Sequence, residues 1–436
     1  MIVDEQLTQL SAVAPAPLSM TKESYRPKFQ LDYVGGGAGV GVGTNNVFGT
    51  TNAVVGGIDL LFSDMVGNNQ LMSSLSLNGE ITDFGGALTY INRKQRVSWG
   101  ASISHFPFRS LSGLEFEPLD TVTIGNQQGI FDRSSYFLNR LFQDQLGFFA
   151  QYPFSTTFRL ETSASFAVYS NRVDRYDTYY YPGTFLFFAQ QRERVERGGG
   201  FTLGRAELAA VGDKSYFGLT SPLSGSRYRL GVEQFFSDYQ FTALTADYRK
   251  YHFFRPIGLA FRLLHYGRYG KSANELFPLY LGTPWYLRGL NNETAEQILL
   301  ANGRDFEDLL GSRVLVANAE IRIPLSGPRE LALIPAAGFL SDINFFIDGG
   351  LAWYLFDQLS GPIYRLGDDG RPLPDPQTGL PIVVYRQAKP LYTTGVPLRI
   401  NVFGSMVVEP YYAIPLLKPA EGVRRGSFGI NLLPGW

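Results

Sequence analysis

Short segments in which apolar side chains recur at every second position dominate this chain, and they leave it few folds. From Phe158, the even positions Phe158, Leu160, Thr162, Ala164, Phe166 and Val168 oppose Arg159, Glu161, Ser163 and Ser165. From Ile257, the odd positions Ile257, Leu259, Phe261 and Leu263 oppose Gly258, Ala260 and Arg262, and from Leu315 the odd Leu315, Ala317, Ala319, Ile321 and Ile323 oppose Asn318, Glu320 and Arg322. Alternate residues of a strand face opposite sides of its sheet, and about ten residues is the length of a tilted strand that crosses a bilayer. Such strands have an apolar face for lipid and a small or charged face for a wet lumen, where charges stay solvated. The pattern predicts strands over 28–42, 54–64, 70–79, 83–92, 97–106, 144–154, 158–170, 200–213, 227–238, 240–253, 257–271, 313–325, 343–356, 392–403, 406–416 and 426–436. The count is sixteen, and an even number places both ends of the chain on one side.

The connections alternate as well. Those after even strands, such as Ser63 to Asn69, Asn92 to Arg96 and Phe403 to Ser405, are mostly short, Gly327 to Asp342 being the exception. Several after odd strands are long: 107–143, 171–199, 272–312 and 357–391. Long outer loops and short inner turns, with both termini periplasmic, are the expectation for an outer-membrane barrel. Composition agrees: 34 Phe and 25 Tyr coexist with only 18% charged residues and a mean hydropathy of -0.06. A wall with one apolar face, one polar face and aromatic girdles averages to that value. The net charge of -1 implies no nucleic-acid-binding surface, and the absence of Cys removes disulfide and thiol chemistry. No apolar run is long enough for a transmembrane helix. Residues 1–27 read as a linker or the remnant of a missing N-terminal periplasmic region, and 28–436 as the barrel. Met1-Ile-Val-Asp-Glu has no basic or apolar leader character, so a mature or trimmed form is expected.

Two motifs stand apart from the alternation. Leu281-Gly-Thr-Pro-Trp-Tyr-Leu-Arg-Gly-Leu290 ends in the tetrad Leu287-Arg288-Gly289-Leu290, and Phe346-Ile-Asp348-Gly-Gly350 follows after one patterned strand. Ile343, Phe345, Ile347, Leu351 and Trp353 share the apolar parity, so Asp348 points inward with Asn344 and Gly350. An Arg reaching that carboxylate from a loop would form a bidentate, charge-assisted pair. Glu320 and Glu409, also inward, are further acceptors, and Gly289 and Gly350 allow backbone to approach closely. Asn292-Glu-Thr-Ala-Glu caps a short expected helix through Leu300, with another turn from Asp305 to Leu310.

Tetrad, single strand and Phe-x-Asp-x-Gly, in that order, resemble the C-terminal barrel of the outer-membrane assembly-factor superfamily, the BamA/TamA-type or bacterial surface-antigen family. The resemblance implies an all-β, sixteen-stranded antiparallel transmembrane barrel whose sixth extracellular loop folds into the lumen and brings Arg288 to Asp348. It also implies insertion or translocation of proteins at the outer membrane, with unfolded or nascent outer-membrane proteins as clients and periplasmic or lipoprotein subunits as partners. Whether Arg288 only pins the loop or also sets the state of the seam stays open at this level. The pattern Leu61-Phe-Ser-Asp-Met-Val-Gly-Asn-Asn-Gln-Leu71 resembles a turn of barrels fused behind TolB-like propellers in Bacteroidetes-type homologues.

A seam joining the first and last strands would involve Gly35, Gly36, Gly37, Gly39 and Gly41 on one side and Phe428, Ile430, Leu432 and Trp436 on the other. Glycine weakens strand pairing, so this run is either a weak lateral gate or a kinked strand. The final strand, closing on aromatic Trp436, resembles the insertion signal of outer-membrane barrels. Other readings are a passive anchor or pore carrying a periplasmic domain, and an accessory partner-binding barrel with Tyr-rich loops. His105, His252 and His265 lie at or near expected strand ends without metal-ligand spacing, and no nucleophile, zinc or phosphate-loop motif occurs. Neither an enzyme nor a cofactor is expected.

Overall fold

The computed structural model describes residues 25–431 apart from 46–48, 79, 125–126, 185, 197–198, 219, 291–292, 337–339, 368–369, 403–405, 419–421 and 423–424. Its wall begins with β1 (Phe29–Asn45), β2 (Gly49–Asp64), β3 (Asn69–Asn78) and β4 (Glu80–Asn92). Next come β5 (Ser98–Ile124), β6 (Gln127–Pro153), β7 (Phe158–Tyr180) and β8 (Phe201–Asp213). The second half contains β9 (Pro222–Ser237), β10 (Phe241–Phe254), β11 (Ile257–Tyr269) and β12 (Arg313–Gly327). It ends with β13 (Leu340–Trp353), β14 (Leu391–Val402), β15 (Met406–Pro415) and β16 (Ser427–Asn431). Each is paired antiparallel with the next, so the chain winds in sequence order through one sheet. The all-β fold and the sixteen strands read from the alternation are both present.

The faces follow parity. Ile103, Phe148, Phe166, Leu208, Leu230, Leu244, Phe261, Leu263, Ile321, Phe345 and Ile347 are exposed on successive strands. Together they form an apolar band far larger than a water-facing surface of a monomer carries. Residues of opposite parity point inward, where the sheet wraps around chain segments folded inside it.

Three expectations need correction. Residues 107–143, expected as a loop, are mostly strand: β5 and β6 continue past the apolar band as a long hairpin. Ion pairs of Arg109, Arg140 and Arg172 with Asp83 and Asp174 tie this extension to β4 and β7. Within 171–199, β7 likewise continues to Tyr180 and pairs with a returning strand, Phe187–Glu196. His105 therefore lies inside β5, and His265 lies within β11, while His252 is near the end of β10 as expected. Residues 357–391 are largely irregular, as expected, with the short pair Ile363–Tyr364 and Val383–Tyr385, two isolated bridges and a 3-10 turn at their start among the described residues.

The glycine run Gly35, Gly36, Gly37, Gly39 and Gly41 lies within β1, paired with β2. Phe428 and Ile430 share the exposed face of β16. Leu432 and Trp436 lie outside the described residues, as does most of 1–27. No pairing of β16 with β1 occurs among the described residues. The Leu61–Leu71 stretch forms the β2–β3 turn: Gly67 N donates to Asp64 O, and both side-chain oxygens of Asp64 accept from Asn69.

Candidate functional site

The sixth of the connections that follow odd-numbered strands, between β11 and β12, enters the interior and returns. Its base is a two-residue ribbon, Leu279–Tyr280 against Leu310–Gly311. Burial pushes the Tyr280 phenol up to about 12. It stays protonated and donates to Leu290 O at 2.6 Å, tying the tetrad's end to the ribbon. Thr283 O then accepts from Tyr286 N and Leu287 N, which folds Thr283-Pro-Trp-Tyr into a tight turn. A short helix, α1 (Glu293–Ala301), and a 3-10 turn, Phe306–Leu309, complete the loop. Asp305 caps that turn by accepting from Glu307 N at 2.9 Å. Both helical pieces match the sequence reading, although Asn292 lies outside the described residues.

Leucines hold the loop down. Leu281, Leu287, Leu290, Leu299 and Leu309 are buried against Phe235, Phe241, Leu264, Tyr266, Val314, Val316 and Leu391 of the wall. The inner face of β12 is thus apolar near the loop, at Val314 and Val316, and polar deeper in, at Asn318, Glu320 and Arg322. Leu287 packs so closely that a Cβ on Gly350 would lie 2.3 Å from its Cδ1. Gly289 adopts φ +84°, and a Cβ there would lie 2.5 Å from Ala413 Cβ on β15. No other residue type combines that backbone with that clearance.

Below this apolar layer lies a charge cluster. Arg288 Nε and Nη2 donate to Asp348 Oδ2 and Oδ1, both at 2.8 Å, and Nη1 donates to Glu320 Oε1 at 2.7 Å. Its guanidinium carbon sits 3.7 Å above the Phe346 ring centre, a cation–π contact strengthened by the dry surroundings. Glu409 Oε1 is 3.7 Å from Arg288 Nη1. Wall side chains also grip the loop backbone: Asn318 Nδ2 donates to Tyr286 O at 3.0 Å and to Asp348 Oδ1 at 2.8 Å. Arg262 Nη1 donates to Trp285 O at 2.8 Å.

Sequence reasoning missed two members. Arg322 donates to Glu320 at 2.8 Å, and Arg399 bridges Glu320 at 3.1 Å and Glu409 at 2.5 Å. Three guanidiniums and three carboxylates thus cancel in charge, each residue no more than 2% exposed. Inward parity of Arg322 was the available signal. For Arg399 it was parity with Thr393 and Gly395, opposite the apolar Tyr392 and Val396. The wet lumen expected around Asn318, Glu320 and Arg322 is dry here, because the loop covers it.

The cluster also has a floor. At the entry to β9, Thr220, Ser221 and Pro222 are buried: Pro222 O accepts from Arg322 Nη1 at 3.1 Å, and Thr220 donates to Asp342. A long connection from one rim and a short turn from the other therefore meet on the same charges.

No protein-family model and no characterised protein matches the sequence. Among solved structures, BamA from Haemophilus ducreyi lacking POTRA domains 1-3 superposes with TM-score 0.50 at 13% identity, over 93% of this chain and 70% of that one. CdiB from Acinetobacter baumannii gives 0.44 at 12%, over 88% of this chain and 57% of that one. CdiB from Escherichia coli gives 0.46 at 10%, over 94% and 63%, so this chain spans less than two thirds of either CdiB chain. At such identities the likeness is one of fold: the chain is an all-β, sixteen-stranded antiparallel sheet similar to the BamA barrel.

Proposed function

We propose that this chain is an outer-membrane barrel of assembly-factor type, which inserts or translocates proteins through a seam between β1 and β16. One observation carries the reading. A loop from the long-loop rim is threaded into the barrel and chelated by Arg288 onto Asp348 and Glu320 beneath a leucine layer. A passive wall has no need of such a strut. The likeness to the BamA fold and the apolar outer band support it.

On this reading the barrel sits in the outer membrane with its short turns and both termini periplasmic. An unfolded client strand pairs at the seam, where backbone groups outside the sheet ladder favour strand addition. Gly35–Gly41 in β1 make that side of the seam easy to open, and Phe428 and Ile430 mark the other. Periplasmic or lipoprotein subunits would deliver the client.

The test is insertion of an unfolded outer-membrane protein into liposomes carrying this barrel. A cysteine scan of β1 against β16 finds a pair that crosslinks. Oxidation of that pair should stop client insertion and reduction should restore it. Equal insertion by the locked barrel would sink the proposal. The leucine layer and charge cluster weigh against an open pore, for which planar-bilayer recordings would show steady, large, size-selective currents.

A further inference from the structure

We infer that the outer face of β4–β7 holds a specific membrane-lipid site, which takes a lipid with a primary-ammonium headgroup. The inference rests on the membrane reading above and goes beyond it. His105 on β5 and Asp144 on β6 are register partners and share the outward parity of Ile103 and Leu146. Their Nδ1 and Oδ1 lie 2.6 Å apart. A polar pair on a lipid-facing wall is costly unless it has a polar partner.

Its level in the wall supplies that partner. Asp144 lies opposite Val168 on β7, the last exposed apolar residue before the outward positions turn polar at Ser170 and Arg172. The His105 ring is stacked between Phe84, with centroids 5.0 Å apart, and Phe142, at 5.8 Å. Aromatic rings at the edge of an apolar band mark headgroup depth.

Directly below runs a groove of about 600 Å³, lined by Leu75, Leu88, Ile103, Leu146 and Phe166. It exists because Gly86, the register partner of both Leu75 and His105, leaves the wall bare between them. An acyl chain fits the groove, and the headgroup it carries arrives at the His–Asp pair. Asp144 is the more exposed partner, at 59% of its side chain, and its second oxygen can accept from an ammonium N–H. A quaternary ammonium has no such hydrogen. The wall provides its own control. A second outer groove of about 360 Å³, between Phe261, Leu263, Ala317, Ala319, Ile347 and Tyr392, has no carboxylate in its lining.

The experiment places the whole chain in nanodiscs of equal phosphatidylethanolamine and phosphatidylcholine, transfers it gently to detergent, and identifies retained lipid by native mass spectrometry. One phosphatidylethanolamine should be held in about tenfold preference, the effect of one charge-assisted hydrogen bond. Asp144→Leu should keep a lipid but lose the preference. Gly86→Leu should lose the lipid, and Ala319→Leu, in the second groove, should change nothing. A heat-modifiable gel shift verifies that each variant is folded. Equal retention of both lipids by the wild type, or an unchanged preference in Asp144→Leu, overturns the site. Failure of the wild type to enter nanodiscs at all would overturn the membrane reading, and the site with it.

Discussion

Two of the charge clusters inside this sheet are built from the same residue types and opposite in physical state. At β12–β15, Arg322, Arg399, Glu320, Asp348 and Glu409 of the wall and Arg288 of the threaded loop are sealed from water by that loop above and the turn below. On β7–β9, Arg159, Glu161, Arg205, Glu207 and Arg229 form a ladder across neighbouring strands. The Arg229 and Glu161 side chains of that ladder remain 37% and 25% exposed. The difference is cover. Sealed charges must balance one another, since an unpaired ion in a dry site is strongly destabilising. Charges beside water lean on solvent instead, and exposed pairs contribute little.

Removing the arginine at the centre of the sealed cluster should have the largest effect. Arg288→Ala leaves Asp348 buried without its bidentate partner and should cost about 3–5 kcal/mol, read as a fall in the urea midpoint of the barrel in lipid vesicles. Asp348→Ala added to it should recover part of that loss, because the stranded charge is then gone. A shift in Arg288→Ala no larger than in Arg229→Gln would erase the distinction between the clusters. Parallel client-insertion assays separate a strut from a control element: a strut loses stability and insertion together, whereas a control element loses insertion even where the barrel is intact.

Next is the apolar seal. Gly350→Val drives a side chain into Leu287 and should cost about 1–3 kcal/mol by overpacking. Limited proteolysis should then cut faster between Tyr280 and Leu310 than it does in the wild type.

Smaller still is the loop's tie. Tyr280→Phe removes the bond to Leu290 O, for about 1 kcal/mol. Because folding raises the Tyr280 pKa to about 12, its contribution is full below pH 10 and lost as pH rises towards 12. The phenylalanine variant should lack that alkaline loss of stability.

Least affected should be the wet ladder. Arg229→Gln should shift the midpoint by about 0.2–1 kcal/mol, and less in high salt. A shift that salt does not reduce would mean that this cluster too is dry.

Much of this was legible in the residues themselves. The alternation counted sixteen strands, and parity placed Asp348, Glu320 and Glu409 on the inner face. Asn292 to Leu300 announced a helix that the structure gives as Glu293–Ala301. The outer hairpin of β5 and β6 was not legible, because Pro107, Gly113 and Pro118 break the apolar–polar alternation beyond Phe106, where the register also shifts. Such a run reads as loop when hydrophobicity is the only ruler.

What the sequence determined by itself is therefore local: strand number, the face each side chain takes and the helical insert follow from backbone geometry within a few residues. What only the tertiary structure decided is solvation and partnership. Glu320 reads the same in sequence as Glu161. One lies between Arg288, Arg322 and Arg399 in a dry seal, and the other beside water. A pleat sets where a carboxylate points, but the segments that exclude its water come from far along the chain, and that exclusion sets how strongly each charge binds its partner.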